Sequence, residues 1–407
     1  MDALEVVGIA ILAGFFVAKL IFRFKIPSVA AYVLIGILLG SSVLDVFHED
    51  MIENIGVIND IALGLIAFII GGELRWKQLK KLGKSVFAIA FLESIGAFVL
   101  VALFVQLFFK NWGLSLMLGA IAAATAPAAT IMVIRELRAE GKLTQTLLSV
   151  VAIDDAIALF IYSITSAFVK VMIVKQSSYS VQHILINSLL EIFISVLMGI
   201  IAGYILSFLL KRYNTRKENY IISIGTIFVL IGLANQLGYS SLLSALSLGI
   251  VVANNLPNFS RRLFSLLDDL TPPIFIAFFV TAGAHLRVDL IPQIWVMVIV
   301  YTLARMVGKI SGASLGAVIT KADQKIVKYI GFGLISQVGV ALGLALVVSR
   351  EFGQLGYEGR NLANLIINLL LTATIITEII GSLLTRLVLI RSGEAKMINQ
   401  HYSNKGK

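Results

Sequence analysis

The residues most able to do chemistry in this 407-residue chain are two adjacent aspartates, Asp154 and Asp155. They sit in the otherwise apolar run Val150-Val-Ala-Ile-Asp-Asp-Ala-Ile-Ala-Leu159. Neighbours on a helix diverge by about 100°, so both side chains can border one cavity while facing different partners. Two carboxylates in a low dielectric resist being charged together. Such a pair can trade a proton for a hard cation, which takes oxygen ligands. The other reading is a packing pair neutralised by basic residues, but a double carboxylate at the centre of an apolar run is hard to justify on packing grounds.

Arg305 and Lys309, in Tyr301-Thr-Leu-Ala-Arg-Met-Val-Gly-Lys-Ile310, lie four apart and share one helix face. They are the natural counter-charges for acidic groups in apolar surroundings, of which Glu93, Asp154, Asp155, Glu191 and Glu378 are the clearest, with Asp60 near a segment end. Each is expensive inside a bilayer and therefore faces a cavity or a partner. Lys309 reads either as a titrating partner of an aspartate or as half of a fixed ion pair. A guanidinium keeps its proton, so Arg305 suits a permanent pair with Glu93 or Glu378. Lys19 can snorkel to an interface, and neither it nor Glu191 is given a role.

Two apolar segments carry their own interruptions. Ala123-Ala-Thr-Ala-Pro-Ala-Ala-Thr130 contains Thr125, Ala126 and Pro127. Proline removes one helical hydrogen bond, and the small residues admit other backbones. Gly331-Phe-Gly-Leu-Ile-Ser-Gln-Val-Gly-Val-Ala-Leu-Gly343 places the polar pair Ser336-Gln337 before Gly339. Backbone groups freed at such breaks can serve as ion ligands at mid-membrane.

These residues must be held by segments that the composition makes membrane helices. Only 14% of the chain is charged and 58% is hydrophobic, against about 25% charged in a soluble domain, which excludes a soluble enzyme or nucleic-acid binder. The fold class expected is an all-α polytopic membrane protein. Cutting at charged and turn-rich breaks gives thirteen spans: 4–22, 26–44, 56–72, 85–109, 112–134, 143–169, 184–210, 219–237, 239–256, 270–286, 290–319, 330–349 and 361–389. The uncharged run from Asn219 to Ser260 is split at Gly238-Tyr239.

Of the 33 basic residues, 24 then fall on one side, in the loops after odd-numbered spans and at the C-terminal end. Lys110, Lys170, Lys175, Arg287, Arg350 and Arg360 fall on the other, with the acidic loop around Asp50. By the positive-inside rule the N-terminus is outside and the C-terminus cytoplasmic. Residues 1–390 read as one transmembrane domain and 391–407 as a short cytoplasmic tail. The acidic N-terminus reads as the start of the first span and not a cleaved signal, and no nucleotide-binding domain is expected after the last one. With no cysteine there is no disulfide or thiolate metal site.

The two interrupted spans are seven apart, as are the spans holding Glu93 and Arg305–Lys309, and those holding Asp154–Asp155 and Glu378. An odd offset inverts orientation, so spans 1–6 and 8–13 read as inverted repeats around a linking span 7, with a site near the midplane.

Thirteen spans, Ala-Ile-Asp154-Asp155, Thr125-Ala-Pro127, Gly308-Lys309 and Phe68-Ile-Ile-Gly-Gly-Glu73 together resemble sodium (or potassium)/proton antiporters of the second cation:proton antiporter family. The resemblance covers the whole membrane part of the chain. It implies a homodimer in the cell (inner) membrane, with two crossed broken helices in a mobile core. Carried over by motif, Asp155 is the main carrier of Na+ (or Li+ or K+) and H+, Asp154 pairs with Lys309, and Thr125 lies beside the ion. No cofactor is implied. Many relatives have an acidic residue or an Arg-Gly-Glu stretch where this chain has Ser336-Gln337-Val338.

Other classes fit less well. An organic-anion symporter wants cationic groups around its site, and the strongest pair here is anionic. An intramembrane aspartyl protease needs its aspartates on different helices. A passive channel needs no titrating pair.

Overall fold

The computed structural model describes residues 3–21, 28–48, 56–174, 181–213, 215–257, 263, 264, 267 and 271–395. The basic positions at 23, 25, 261 and 262, the acidic loop around Asp50, Lys175 and the tail from 396 lie outside them. Among the described residues there are fifteen α-helices and no β-strand. They are α1 (Ala3–Ile21), α2 (Ser28–Leu39), α3 (Gly56–Glu73), α4 (Trp76–Phe109), α5 (Trp112–Ala122), α6 (Pro127–Leu137), α7 (Lys142–Val174) and α8 (Val181–Arg212). The chain continues through α9 (Arg216–Leu237), α10 (Ser241–Asn255), α11 (Thr271–Ala284), α12 (Ile291–Ile319), α13 (Gln324–Tyr329), α14 (Gly339–Gly353) and α15 (Gly356–Arg391).

Seven of these helices are long and apolar enough to cross a membrane, and an eighth span results if the bent pair Gln324–Leu334 and Gly339–Gly353 is taken as one. Helices α2, α5, α10 and α11 are apolar but shorter. The boundaries follow local chemistry. Helix α9 stops where Gly238 takes φ +74°, a left-handed turn that costs glycine nothing. Helix α4 leaves helical geometry at Gly83, φ +80° and ψ 164°, so its apolar stretch begins there. Short α13, in a segment read as loop, starts where the Asp323 side chain accepts the Lys325 amide.

The chain divides into two compact units. The first contains Met1–Val17, Tyr32–Lys81 and Leu159–His285. Its core is built on α3, α8, α9 and α10, with Phe68 against Phe264 at 4.9 Å between ring centroids. Glycine decides how close these helices lie: a Cβ on Gly71 would run into the Leu246 carbonyl, and one on Gly249 into the Phe68 carbonyl.

The second unit contains Ala18–Ala31, Leu82–Ala158 and Leu286–Lys407. Here α15 packs against α6, α12 and α14. A stripe on α12, Gly308, Gly312 and Gly316, lies flush on Gly96, Leu92–Glu93 and Ala88–Ile89 of α4, leaving no room for a Cβ at any of the three. The start of α7 is held from the far end of the chain: Glu394 accepts the Leu143 and Thr144 amides at 2.9 and 2.8 Å and the Thr144 hydroxyl at 2.7 Å. A carboxylate there satisfies orphan N–H groups and opposes the positive helix end.

Candidate functional site

Of the charged residues singled out above, Glu93, Asp154, Asp155, Arg305, Lys309 and Glu378 fall in the second unit, and Asp60 and Glu191 in the first. The site begins with two backbone breaks. Helix α5 ends at Ala122 and α6 begins at Pro127, which takes the first helical position, where its missing N–H costs nothing. The break therefore lies before the proline, over residues 123–126. The second break, residues 335–338, separates a 3-10 turn (Ile330–Leu334) from α14. The breaks meet: the Ala126 amide donates to the Ser336 carbonyl at 2.9 Å. Gln337 spans them too, donating from Nε2 to the Ile121 carbonyl at 3.0 Å and accepting the Tyr301 hydroxyl at 2.9 Å.

Four carbonyls left open at these breaks are taken by the two cations of α12. Arg305 donates from Nε to the Ala122 carbonyl at 3.0 Å and from a terminal nitrogen to the Ala124 carbonyl at 2.8 Å. Its other terminal nitrogen donates to the Ile335 carbonyl. Lys309 donates to the Ala123 carbonyl and, at 2.7 Å, to the Thr125 hydroxyl. Both cations thus sit at the negative end of half-helix α5. The expected ion pair of Arg305 with Glu93 or Glu378 does not form. The guanidinium is used up on broken-helix carbonyls, whose desolvation would otherwise be uncompensated.

Lys309 is the charge that finds carboxylates. Its Nζ lies 2.6 Å from Glu93 Oε2 and 3.1 Å from Asp154 Oδ2. All three side chains are fully buried. The glycine stripe is what brings α12 close enough to α4 for the first contact. The Ser94 hydroxyl sits between the two carboxylates, 2.7 Å from Asp154 Oδ1 and 3.2 Å from Glu93 Oε1. Asp155, one residue on along α7, is also buried, and its side chain leaves the helix about 100° around from Asp154. Glu378 is buried on α15. Sequence reading assigned nothing to Ser94 or Tyr301. The available signal was position: Ser94 adjoins Glu93, and Tyr301 is one turn before Arg305 on the same face.

Among the described residues no cluster of three or more His, Cys, Asp or Glu side chains could hold a metal ion by itself.

The profile described as "Sodium/hydrogen exchanger, transmembrane" matches residues 7–391. The chain belongs to the sodium/hydrogen exchanger family. Among similar family proteins is a Na(+)/H(+) antiporter of Enterococcus hirae, 25% identical over 373 residues, covering 90% of this chain and 92% of that one. The probable Na(+)/H(+) antiporter GerT of Bacillus cereus is 25% identical over 333 residues, 78% of this chain and 83% of that one. From the same organism, the Na(+)/H(+)-K(+) antiporter GerN is 24% identical over 330 residues, 78% and 81% of the two chains.

The sodium proton antiporter MjNhaP1 of Methanocaldococcus jannaschii has the same fold, with a TM-score of 0.78 over 95% of this chain and 98% of that one at 20% identity. The exchanger family consists of transporters and not of enzymes, and the apolar helices make this member a multi-pass membrane protein.

Proposed function

We propose that this chain exchanges a monovalent cation, sodium, for protons across the cell membrane by alternating access. One arrangement carries the reading: a buried lysine shared by two carboxylates, with a third carboxylate next in sequence, beside a broken helix. Asp155 is the cation and proton carrier. Asp154 turns from Lys309 to the arriving ion, and Thr125 supplies a neutral oxygen beside it.

The charge balance supports exchange over passive conduction. Glu93 and Asp154 share the single ammonium of Lys309 and all three are fully buried, so the two carboxylates compete for one counter-charge. The cation-free cluster therefore holds one proton in common, belonging to the group and not to a single residue. When Asp154 turns to the cation, Lys309 is left facing Glu93 alone and the shared proton leaves, so that with Asp155 ionised the loaded site carries one negative charge more than the empty one. With the proton displaced from Asp155, two protons move against one cation, so the exchange is electrogenic.

The wider organisation belongs to the same proposal: thirteen spans, spans 1–6 and 8–13 as inverted repeats about span 7, crossed broken helices and a homodimer. Residues 1–390 form the transporter and 391–407 a cytoplasmic tail, with the N-terminus outside. Potassium is the second cation to consider, because one relative is named for both ions. The test is purified protein in proteoliposomes with a pH dye inside, challenged with sodium, lithium and potassium. Sodium should dequench the dye at the lowest concentration. No response to any of the three would end the proposal.

A further inference from the structure

Glu378 has no place in the cation site as described, and its surroundings are unusual. Neither of its carboxylate oxygens has a hydrogen-bond partner, although the side chain is 1% exposed. Two buried hydroxyls near it in the fold share that condition: Thr374 Oγ1 on the same helix and Ser336 Oγ in the second break. Buried polar groups are seldom left so, because each forgoes its hydrogen bonds to water. Three in one place ask for a common explanation.

The geometry arranges them in a row. Thr374 and Glu378 lie four apart on one face of α15. Gly381 continues that face by one further turn, and a Cβ there would strike Ser336, whose backbone and Oγ press against it. The Thr377 hydroxyl, on the neighbouring row, donates to the Gln337 carbonyl at 3.4 Å, which fixes the break along this stretch of α15. Thr374 and Glu378 are therefore one helical turn apart, roughly 5–6 Å, and Ser336 meets the next turn of the same face at Gly381. A spacing of about two hydrogen-bond lengths is what a bridging water needs between two polar groups. The row is too extended for all three to ligate one ion. It suits groups that pass a proton along.

We propose that Thr374, Glu378 and Ser336 form a buried, hydrated proton relay that serves the exchange but takes no part in binding the cation. Each hydroxyl accepts a proton on one lone pair as it gives up another, and the carboxyl does so through its two oxygens, so the relay carries protons with no net change. Its inner end is well placed: the Ser336 carbonyl accepts the Ala126 amide, and Ala126 adjoins Thr125, which is bonded to Lys309. The charged groups on elements packed against this face are few. Arg305 of α12 is committed to three carbonyls, Glu136 of α6 pairs with Arg386 at 3.0 Å, and Arg350 and Glu351 lie near the end of α14.

The inference rests on the proton-coupled exchange proposed above, and two fluxes separate them. Proteoliposomes are assayed for sodium/proton exchange with a pH dye, and for entry of radiolabelled sodium against unlabelled sodium at one pH on both sides. The second flux turns the cation site over without net proton movement. Glu378→Gln should slow the first flux by about tenfold or more and leave the second within about twofold of wild type. Ser336→Ala and Thr374→Val should act in the same direction, which keeps the test open if the Glu378 variant fails to fold. Glu378→Asp should restore part of the rate. Equal slowing of both fluxes in these folded variants, or no slowing of either, would overturn the relay. Wild-type vesicles with neither flux would overturn the exchange reading and the relay with it.

Discussion

Lys309 Nζ lies closer to Glu93, at 2.6 Å, than to Asp154, at 3.1 Å. The lysine therefore has a second counter-charge beside Asp154. An ammonium stranded in a dry interior would resist the departure of its only partner. If Asp154 turns to the cation as proposed, Glu93 keeps Lys309 paired.

The carrier assignment predicts that Asp155→Asn abolishes exchange while the protein still folds. Neutralising a buried carboxylate removes its desolvation cost, so thermal stability should hold or rise. Wild-type rates in that variant would remove Asp155 from the mechanism.

Net charge per cycle gives a second expectation. One charge moved per cycle couples exchange to the membrane potential by about 2.3 kcal/mol per 100 mV, roughly fifty-fold at equilibrium. A potassium–valinomycin potential imposed on sodium-loaded proteoliposomes should accelerate wild-type exchange. Lys309→Gln should lose that response even if some exchange survives, because Glu93, left without a counter-charge, would keep its proton when Asp154 turns to the cation. Indifference of the wild type to the potential would leave one proton per cation.

Arg305 should prove a backbone anchor. Removing it orphans three carbonyls, each worth about 1–3 kcal/mol when buried, so Arg305→Ala should lower the melting temperature sharply. Arg305→Lys, with one nitrogen for three acceptors, should fall between. Glu378→Gln should leave stability nearly unchanged, since the carboxylate makes no bond to Arg305. A large loss of stability in Glu378→Gln and little in Arg305→Lys would restore the ion pair.

Much of this was open to sequence reading and some was not. The all-helical class is plain from composition, and the turn after Leu237 from Gly238. Opposite charges in apolar segments are enough to suggest that Lys309 meets an aspartate, and the family resemblance points to Asp154. Arg305 is misread by the same logic. Charge counting pairs it with a carboxylate, whereas the carbonyls it serves belong to alanines and an isoleucine, whose letters give no sign of an unbonded oxygen. The contact of Glu93 with Lys309 is equally hidden, because it depends on three glycines setting a helix separation. A proline marks that a break exists near residue 127, yet it lies just after the break, as the first residue of the next half-helix.

Orientation can be tested directly, because the chain has no cysteine of its own. Single cysteines near Asp50 and Lys175 should react with an impermeant reagent from outside. Those near Lys81 and Lys142 should react only after permeabilisation. Outside labelling near Lys81 would break the thirteen-span arrangement.

The bonds at the first break have a consequence for biosynthesis. Ala122 and Ala124 leave the ribosome with carbonyls that find their donor only when Arg305 follows, 183 and 181 residues later. The Ala126 amide waits for Ser336. Until then the nascent chain must carry open polar groups at a broken helix, which lipid cannot satisfy. The half-made protein should therefore linger beside the insertion machinery or a membrane chaperone. Chains stopped before Arg305 should be cleared quickly, however many apolar segments they contain, whereas chains stopped after Ser336 should survive longer.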